Sequence, residues 1–268
     1  MSARFEGKSV LVTGSTGIAA AAARALAQEG ARLFITSRTA DHAEQLAKEI
    51  GARWQAVDLT QEEAVESVVQ AVVGAYGRLD CVYNVAGISG RRLGDGPAHQ
   101  MTLDGWNLTL ANNATSVFLV CRAAIRQMLS QEPGANGQGG AILNMSSTLA
   151  RHPERRHFAT HGYAASKGAI ESFSRAAAAY YAPHGIRINV IAPGLVATPM
   201  SERAQQNPQI LAYAEARQPL SHGILDPADL TGAALFLLSD DSRMVTGQVL
   251  DVDGGWSVSH GSSAEEGG

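Results

Sequence analysis

The stretch Val10-Leu11-Val12-Thr13-Gly14-Ser15-Thr16-Gly17-Ile18-Ala19 carries a short apolar run into a glycine turn and then into a segment of helical period. A run that short, rich in β-branched residues and bounded by glycine, reads as a strand buried on both faces. Glycines at the handover let the backbone turn tightly and approach a pyrophosphate, whose charge the N–H groups and dipole of the following helix would meet. Glycine is also common wherever a strand turns into a helix, so the turn alone leaves a structural role open.

Outward from this turn the same alternation repeats. Leu33-Phe34-Ile35, Ala141-Ile142-Leu143 and Ile188-Asn189-Val190-Ile191 are further compact runs. Segments of helical period lie between them, at about 18–29, 40–50, 61–76, 102–129, 161–182 and 227–239. Thr60 with Glu63 is spaced as a capping box for the third of these. Strand and helix in alternation predict an α/β fold: a single doubly wound, Rossmann-like domain whose parallel sheet of about seven strands has helices on both faces. No composition break marks a second domain, so residues 1–256 are expected to form one unit. The tail 257–268 (SVSHGSSAEEGG) is small and polar, which predicts flexibility. Gln131–Gly140 and Arg151–Thr160 read as loops. Residues 195–222, with three prolines and little periodicity, read as a long connection of the kind that forms lids.

Bulk properties exclude several classes. The 268 residues are 45% hydrophobic, enough for a sizeable core, and the formal net charge of -4 leaves no basic excess for a nucleic-acid partner. Cys81 and Cys121 make no disulfide framework, and no close Cys/His cluster suggests a zinc site. His152, His157 and His161 lack an accompanying carboxylate pattern, so no metal is expected. The opening MSARFEGKSVLV lacks the apolar core of a signal peptide, and no stretch approaches the length of a membrane span. A cytoplasmic setting without a membrane partner is the expectation.

A second stretch carries the chemistry. In His161-Gly162-Tyr163-Ala164-Ala165-Ser166-Lys167-Gly168-Ala169, Tyr163 and Lys167 stand four apart on a helix and so share a face. A free phenol titrates near 10, too high to exchange a proton readily at neutral pH. A neighbouring ammonium favours the phenolate and lowers that value. Tyr163 then serves as general acid in ketone reduction or general base in alcohol oxidation. Tyrosine and lysine are also ordinary helix-surface residues, and only their company decides.

That company resembles the short-chain dehydrogenase/reductase family, over residues 6 to about 256. The family's glycine signature is TGxxxGxG. Here the loop is one residue shorter and Ala19 replaces the last glycine, a position where Ala serves if helix and strand pack closely. Asn84-Val85-Ala86-Gly87 resembles the family's NNAG segment. Asp58, followed by Leu59, stands where the family binds the adenine amino group. Pro193-Gly194, with Val196 and Thr198 beyond, resembles the PGxxxT segment beside the nicotinamide carboxamide, and Thr246-Gly247-Gln248 and Asp253-Gly254-Gly255 resemble the closing strand.

The resemblance implies a hydride-transferring oxidoreductase acting on a small-molecule carbonyl or secondary alcohol. It implies that Tyr163 is the acid/base and that Lys167 also holds the ribose hydroxyls. Ser147, in Asn144-Met145-Ser146-Ser147, would bond the substrate oxygen, with Ser146 the alternative. Asn113, in WNLTLANN, would hold a water of the proton relay, with Asn112 the alternative. Implied cofactor contacts are Gly14, Ser15, Thr16, Gly17, Ile18, Ser37, Arg38, Asp58, Leu59, Asn84, Ala86, Gly87, Tyr163, Lys167, Pro193, Gly194, Val196 and Thr198. A carboxylate closing the second strand would bind a ribose 2'-OH and repel a 2'-phosphate. The strand here ends Thr36-Ser37-Arg38, and Arg38 suits a phosphate, so NADP(H) is favoured. NAD(H), with Arg38 stacked on adenine, is the alternative.

Two other readings share the fold: a cofactor-independent lyase, and a non-catalytic nucleotide-binding member. Lys167, Gly14 and Gly17 speak against the first, and retention of both Tyr163 and Lys167 against the second. The alanine-rich Ser174–Tyr181 (SRAAAAYY) permits close helix packing, and family members that it resembles pair there, which implies a homotetramer. Arg91 and Arg92 in the loop Ile88–Gln100, with Arg151, Arg155 and Arg156 in the loop Leu149–Thr160, suggest an anionic substrate such as a keto acid. The alternative is that these arginines are solvated, or pair with Asp95, Glu154 or a neighbouring subunit.

Overall fold

A computed structural model describes residues 4–134 and 137–259. Seven strands, β1 (Ser9–Thr13), β2 (Arg32–Ser37), β3 (Arg53–Ala56), β4 (Cys81–Asn84), β5 (Gly140–Met145), β6 (Ile186–Pro193) and β7 (Val249–Val252), form one parallel sheet in the order β3-β2-β1-β4-β5-β6-β7. From β1 the chain builds outward one way to β3, then returns to build the other way from β4, which opens a crevice beyond the strand ends between β1 and β4.

Successive side chains of a strand point to opposite faces, and the core divides accordingly. Val10 and Val12 pack with the helices α1 (Gly17–Gln28), α2 (Ala40–Ile50) and α9 (Thr231–Leu238), while Leu11 between them packs with α3 (Glu62–Tyr76), α5 (Ser116–Ser130) and α6 (His161–Tyr181). Every residue of β1 and β6 is buried, as covering on both faces requires. The helix α4 (Leu103–Leu110) leads through a π-helical turn, Ala111–Thr115, into α5. Two short helices, α7 (Glu202–Gln205) and α8 (Pro208–Arg217), follow β6.

Four expectations need correction. The capping box at Thr60 does not form: Gln61 is the N-cap of α3, and the Thr60 hydroxyl and N–H both donate to Asp58, at 2.8 and 2.9 Å. Residues 195–222 are not irregular, because α7 and α8 occupy much of them. The run Leu103–Ser130 is long and apolar enough to cross a membrane, contrary to the sequence expectation, but 56% of its 18-residue apolar window is buried within the domain. At the start of the tail, Ser257 N–H donates to Asp253 and the Ser259 hydroxyl donates to the Arg217 carbonyl, so 257–259 are held; 260–268 lie outside the described residues.

Arg187, near the start of β6, is a buried cation without an acidic partner among the described residues. Its Nη1 donates to the Leu237 carbonyl and the Ser242 hydroxyl at 2.9 Å each, and its Nη2 to the Ser239 carbonyl at 2.9 Å. It thus closes the C-terminal end of α9, where helix carbonyls lack partners. Burial lowers its pKa.

Candidate active site

The glycine turn lies where β1 meets α1. Gly14 (φ 98°) and Gly17 (φ 52°) adopt backbone conformations that favour glycine. A Cβ on Gly17 would stand 2.8 Å from the Thr198 side chain, so the turn and the segment after β6 meet there. The Cβ of Ala19 lies 3.1 Å from where a Gly14 Cβ would be, the close packing expected of that position. Thr16, the N-cap of α1, offers no side-chain cap, and the first turn has no acidic residue. The leading N–H groups of α1 are therefore open to a phosphate, and these residues fit the diphosphate of a nicotinamide dinucleotide.

At the adjoining strand ends, the Thr13 hydroxyl accepts from Val85 and Ala86 N–H at 3.0 and 3.1 Å, locking the loop after β4 against β1. Arg38 is exposed and donates to the Asn112 side chain at 3.3 Å. Asp58 is exposed too, its carboxyl held below the usual range first by the Thr60 bonds and then by the Arg38 charge. Three expected cofactor residues have inward side chains. Asn84 bonds Asn144 at 2.8 Å inside the sheet, and Leu59 and Val196 lie in the two cores, so each can offer a ligand only its main chain.

Across the crevice, Tyr163 is half-buried in the first turn of α6. Burial raises its pKa, and a hydrogen bond with the Ser147 side chain lowers it. Lys167 is 3% exposed, its pKa lowered to about 8 by burial. Its Nζ donates to the Met145 carbonyl at 2.8 Å and lies 5.5 Å from the centre of the Tyr163 ring. The phenol depressed by its ammonium neighbour is thus not found: in the protein alone, burial dominates. Ser147 and Ser146 separate cleanly. The Ser146 hydroxyl donates to Glu171 at 2.8 Å and is fully buried, leaving Ser147 as the serine beside Tyr163. Asn113 separates from Asn112 as cleanly. Its Oδ1 accepts from Ile88 N–H at 2.8 Å and its Nδ2 donates to the Ser166 hydroxyl at 3.0 Å. A Cβ on Gly87 would meet Asn113 Oδ1 at 2.8 Å and Lys167 Nζ at 3.7 Å, so Gly87, Asn113 and Lys167 converge. The π-helical turn brings Asn113 inward, a common use of such turns at functional sites.

Sequence reasoning missed two supporting residues. Asp95 accepts from Gly162 N–H at 2.9 Å and Tyr163 N–H at 2.8 Å, capping α6 from another loop where its own N-cap, Thr160, supplies no side-chain cap. The clue was Gly94-Asp95-Gly96, small residues on both sides of a carboxylate. Gln218 is fully buried and accepts from Leu195 N–H at 2.5 Å while donating to the Leu195 and Gly223 carbonyls, which ties the Pro193–Gly194 turn to the segment that follows α8. No local pattern marked it.

The basic loops divide. Arg151 pairs with Glu171 and Asp251 and is thereby engaged. Glu154 accepts from the Arg156, His157 and Phe158 N–H groups and folds its own loop. That loop meets α8 and the segment after β7 in an aromatic cluster of His157, Phe158, Tyr213 and Trp256.

Residues 12–257 match the family model described as enoyl-(acyl carrier protein) reductase, and the chain belongs to the short-chain dehydrogenase/reductase family. It is 36% identical over 263 residues to the D-threitol dehydrogenase of Mycolicibacterium smegmatis, across 95% of both chains. It is 32% identical over 263 residues to the cis-4-hydroxycyclohexanecarboxylate dehydrogenase of Sinomonas cyclohexanicum, across 96% of this chain and 100% of that one. Among solved structures, the 3-ketoacyl-(acyl-carrier-protein) reductase from Brucella melitensis complexed with NADH is similar with a TM-score of 0.83 and 32% identity, over 94% of this chain and 99% of that one. The chain is an oxidoreductase of this family, which uses NAD(P)(H).

Proposed function

We propose that the protein interconverts a small-molecule secondary alcohol and its ketone, with Tyr163 as general acid/base and NADP(H) as the favoured cofactor. The observation that carries this is Tyr163 beside the Ser147 hydroxyl, with the Lys167 ammonium at its ring and Asn113 next to Lys167. When bound, the nicotinamide gives or takes the hydride. Ser147 orients the substrate oxygen and Tyr163 moves its proton. Lys167 holds the ribose, and its charge, together with that of the oxidised ring, offsets the burial that raises the phenol. Asn113 steadies the water through which the proton reaches solvent. Both similar dehydrogenases are named for hydroxyl-bearing substrates, a polyol and a ring hydroxy acid, in keeping with alcohol oxidation.

The NADP(H) preference rests on Ser37 and Arg38: no carboxylate closes β2, and an exposed guanidinium stands beside it. The test follows NADPH and NADH consumption with a panel of ketones, in wild type and in Ser37→Asp. Turnover with NADPH preferred is expected, and the NADPH-to-NADH ratio of kcat/KM should fall about tenfold or more in the variant, since a new carboxylate repels the 2'-phosphate. A wild type that prefers NADH would refute the preference, and one that oxidises neither cofactor with any ketone would refute the activity.

The same reading includes a homotetramer. Ala177 and Ala178 of α6 face its own core, but Ala176, Ala179 and Tyr180 are exposed on that helix, and Phe118 of α5 is 40% exposed while edge-on to Phe173. Light scattering at micromolar concentration is expected to give four times the chain mass. Residues 1–256 are proposed as the cofactor-binding domain. The cytoplasm is the proposed compartment, in keeping with two buried, free cysteines, and cell fractionation checks it.

A further inference from the structure

We propose that Arg91 and Arg203 form an anion-binding subsite at the entrance to the active site, which selects substrates that carry a carboxylate. The inference rests on the ketone–alcohol activity proposed above and specifies its substrate class.

The two arginines come from different parts of the chain. Arg91 opens a short 3-10 turn in the loop after β4, and Arg203 lies in α7 of the lid. Both donate through Nη2 to one acceptor, the His157 carbonyl, at 3.1 and 2.8 Å. Two guanidinium groups brought to one oxygen repel each other; burial and the Arg203 charge together lower the pKa of Arg91. Among the described residues neither has a carboxylate oxygen within ion-pair distance.

Asp95 and Glu154 are committed elsewhere, and Glu202, the neighbour of Arg203 in α7, makes no ion pair with it. Both oxygens of Asp95 accept from the first N–H groups of α6, and both oxygens of Glu154 accept from its own loop. Each guanidinium carries five donors and spends one on His157, so donors and charge remain for a ligand. A planar carboxylate matches that fork better than a neutral hydroxyl does.

The placement is at the reaction centre's edge. Asp95, whose charge acts on Arg91, is bonded to the Tyr163 main chain. His157 belongs to the loop that starts at Ser147, and Arg203 lies over the Phe158 ring at 5.9 Å. An open cavity of about 780 Å³ lies alongside, lined by Arg92, Glu202, Arg203, Gln206 and Asn207 among others, so that two guanidinium groups face it against one carboxylate.

The test compares 2-, 3- and 4-oxo acids with their methyl esters in the intact enzyme with its cofactor, at low and high salt. The proteins are wild type, Arg91→Met, Arg203→Met and the double variant, each checked for folding by circular dichroism and for cofactor binding by NADPH fluorescence. In wild type, kcat/KM for the best acid should exceed that of its ester about tenfold or more, the worth of one charge-assisted bond, and salt should shrink the difference. In the double variant the acid-to-ester ratio should fall to near one, chiefly through KM for the acid. A non-reactive carboxylate, cyclohexanecarboxylate, should inhibit wild type competitively and the double variant at least about tenfold less well. An acid-to-ester ratio near one in wild type, or a ratio unmoved in folded, cofactor-binding variants, overturns the subsite and leaves the parent activity standing. Absence of turnover with every acid and ester, in an enzyme that still reduces a neutral ketone of the panel, overturns the subsite alone; refusal of that panel as well overturns both.

Discussion

Tyr163→Phe is expected to lower kcat at least about a hundredfold while leaving affinity for the cofactor nearly unchanged. The phenol ring of Tyr163 packs at Lys167, and its hydroxyl meets Ser147. Phe keeps the ring and removes only the group that moves a proton. Lys167→Ala should abolish turnover as well, but here the cofactor should also bind more weakly, because the ammonium beside Gly87 and Asn113 goes with the side chain. Rates at the nicotinamide absorbance and titrations by NADPH fluorescence separate the two variants. A Tyr163→Phe enzyme keeping more than about a hundredth of wild-type kcat would dismiss the acid/base role.

Arg187→Met is expected to cost about 2–3 kcal/mol of stability without changing kcat of the folded enzyme. The Leu237 carbonyl would lose its partner at the end of α9, and the Ser239 carbonyl one of its donors. Orphaned buried carbonyls are costly, and relief from burying a charge offsets only part of this. Leu237 and Leu238 sit in the core on that side of the sheet, so the helix end cannot simply turn to solvent. Arg187 is near the start of β6, whereas the segment facing the crevice begins where that strand ends, at Pro193. Urea unfolding should show a lower midpoint at an unchanged slope. An unaltered midpoint would mean that water takes over the guanidinium's contacts.

The features most legible in the sequence were those set by local chemistry. Gly14 and Gly17 announced the turn because the backbone there favours glycine, and Tyr163 and Lys167 announced a shared face because a helix fixes that spacing. The phase between adjacent serines was not legible. Ser146 and Ser147 follow β5 directly, and which one turns to Glu171 depends on packing against α6. The lid helices were hidden for another reason. Only Ile210 and Ala214 of α8 are buried, too few to print a period, although Asn207-Pro208 is a recognisable helix start whose asparagine does cap Gln209 and Ile210. Asp95, Gln218 and Arg203 act across loops of unequal length, and no spacing rule connects them to their partners.

The place of Trp256 bears on how the enzyme comes into being. Its indole, 2% exposed, packs edge-on to Phe158 and Tyr213 and receives Arg217 over its ring. The sheet that receives the nucleotide is built largely from residues translated early, with β1, β2 and β4 all in the first third of the chain. The helix α8 lacks this particular aromatic contact, from Tyr213 to Trp256, until residue 256 has been made. During synthesis, the strands that flank the crevice therefore exist well before Tyr213 gains its Trp256 contact, and that packing is a late event in the folding of the domain.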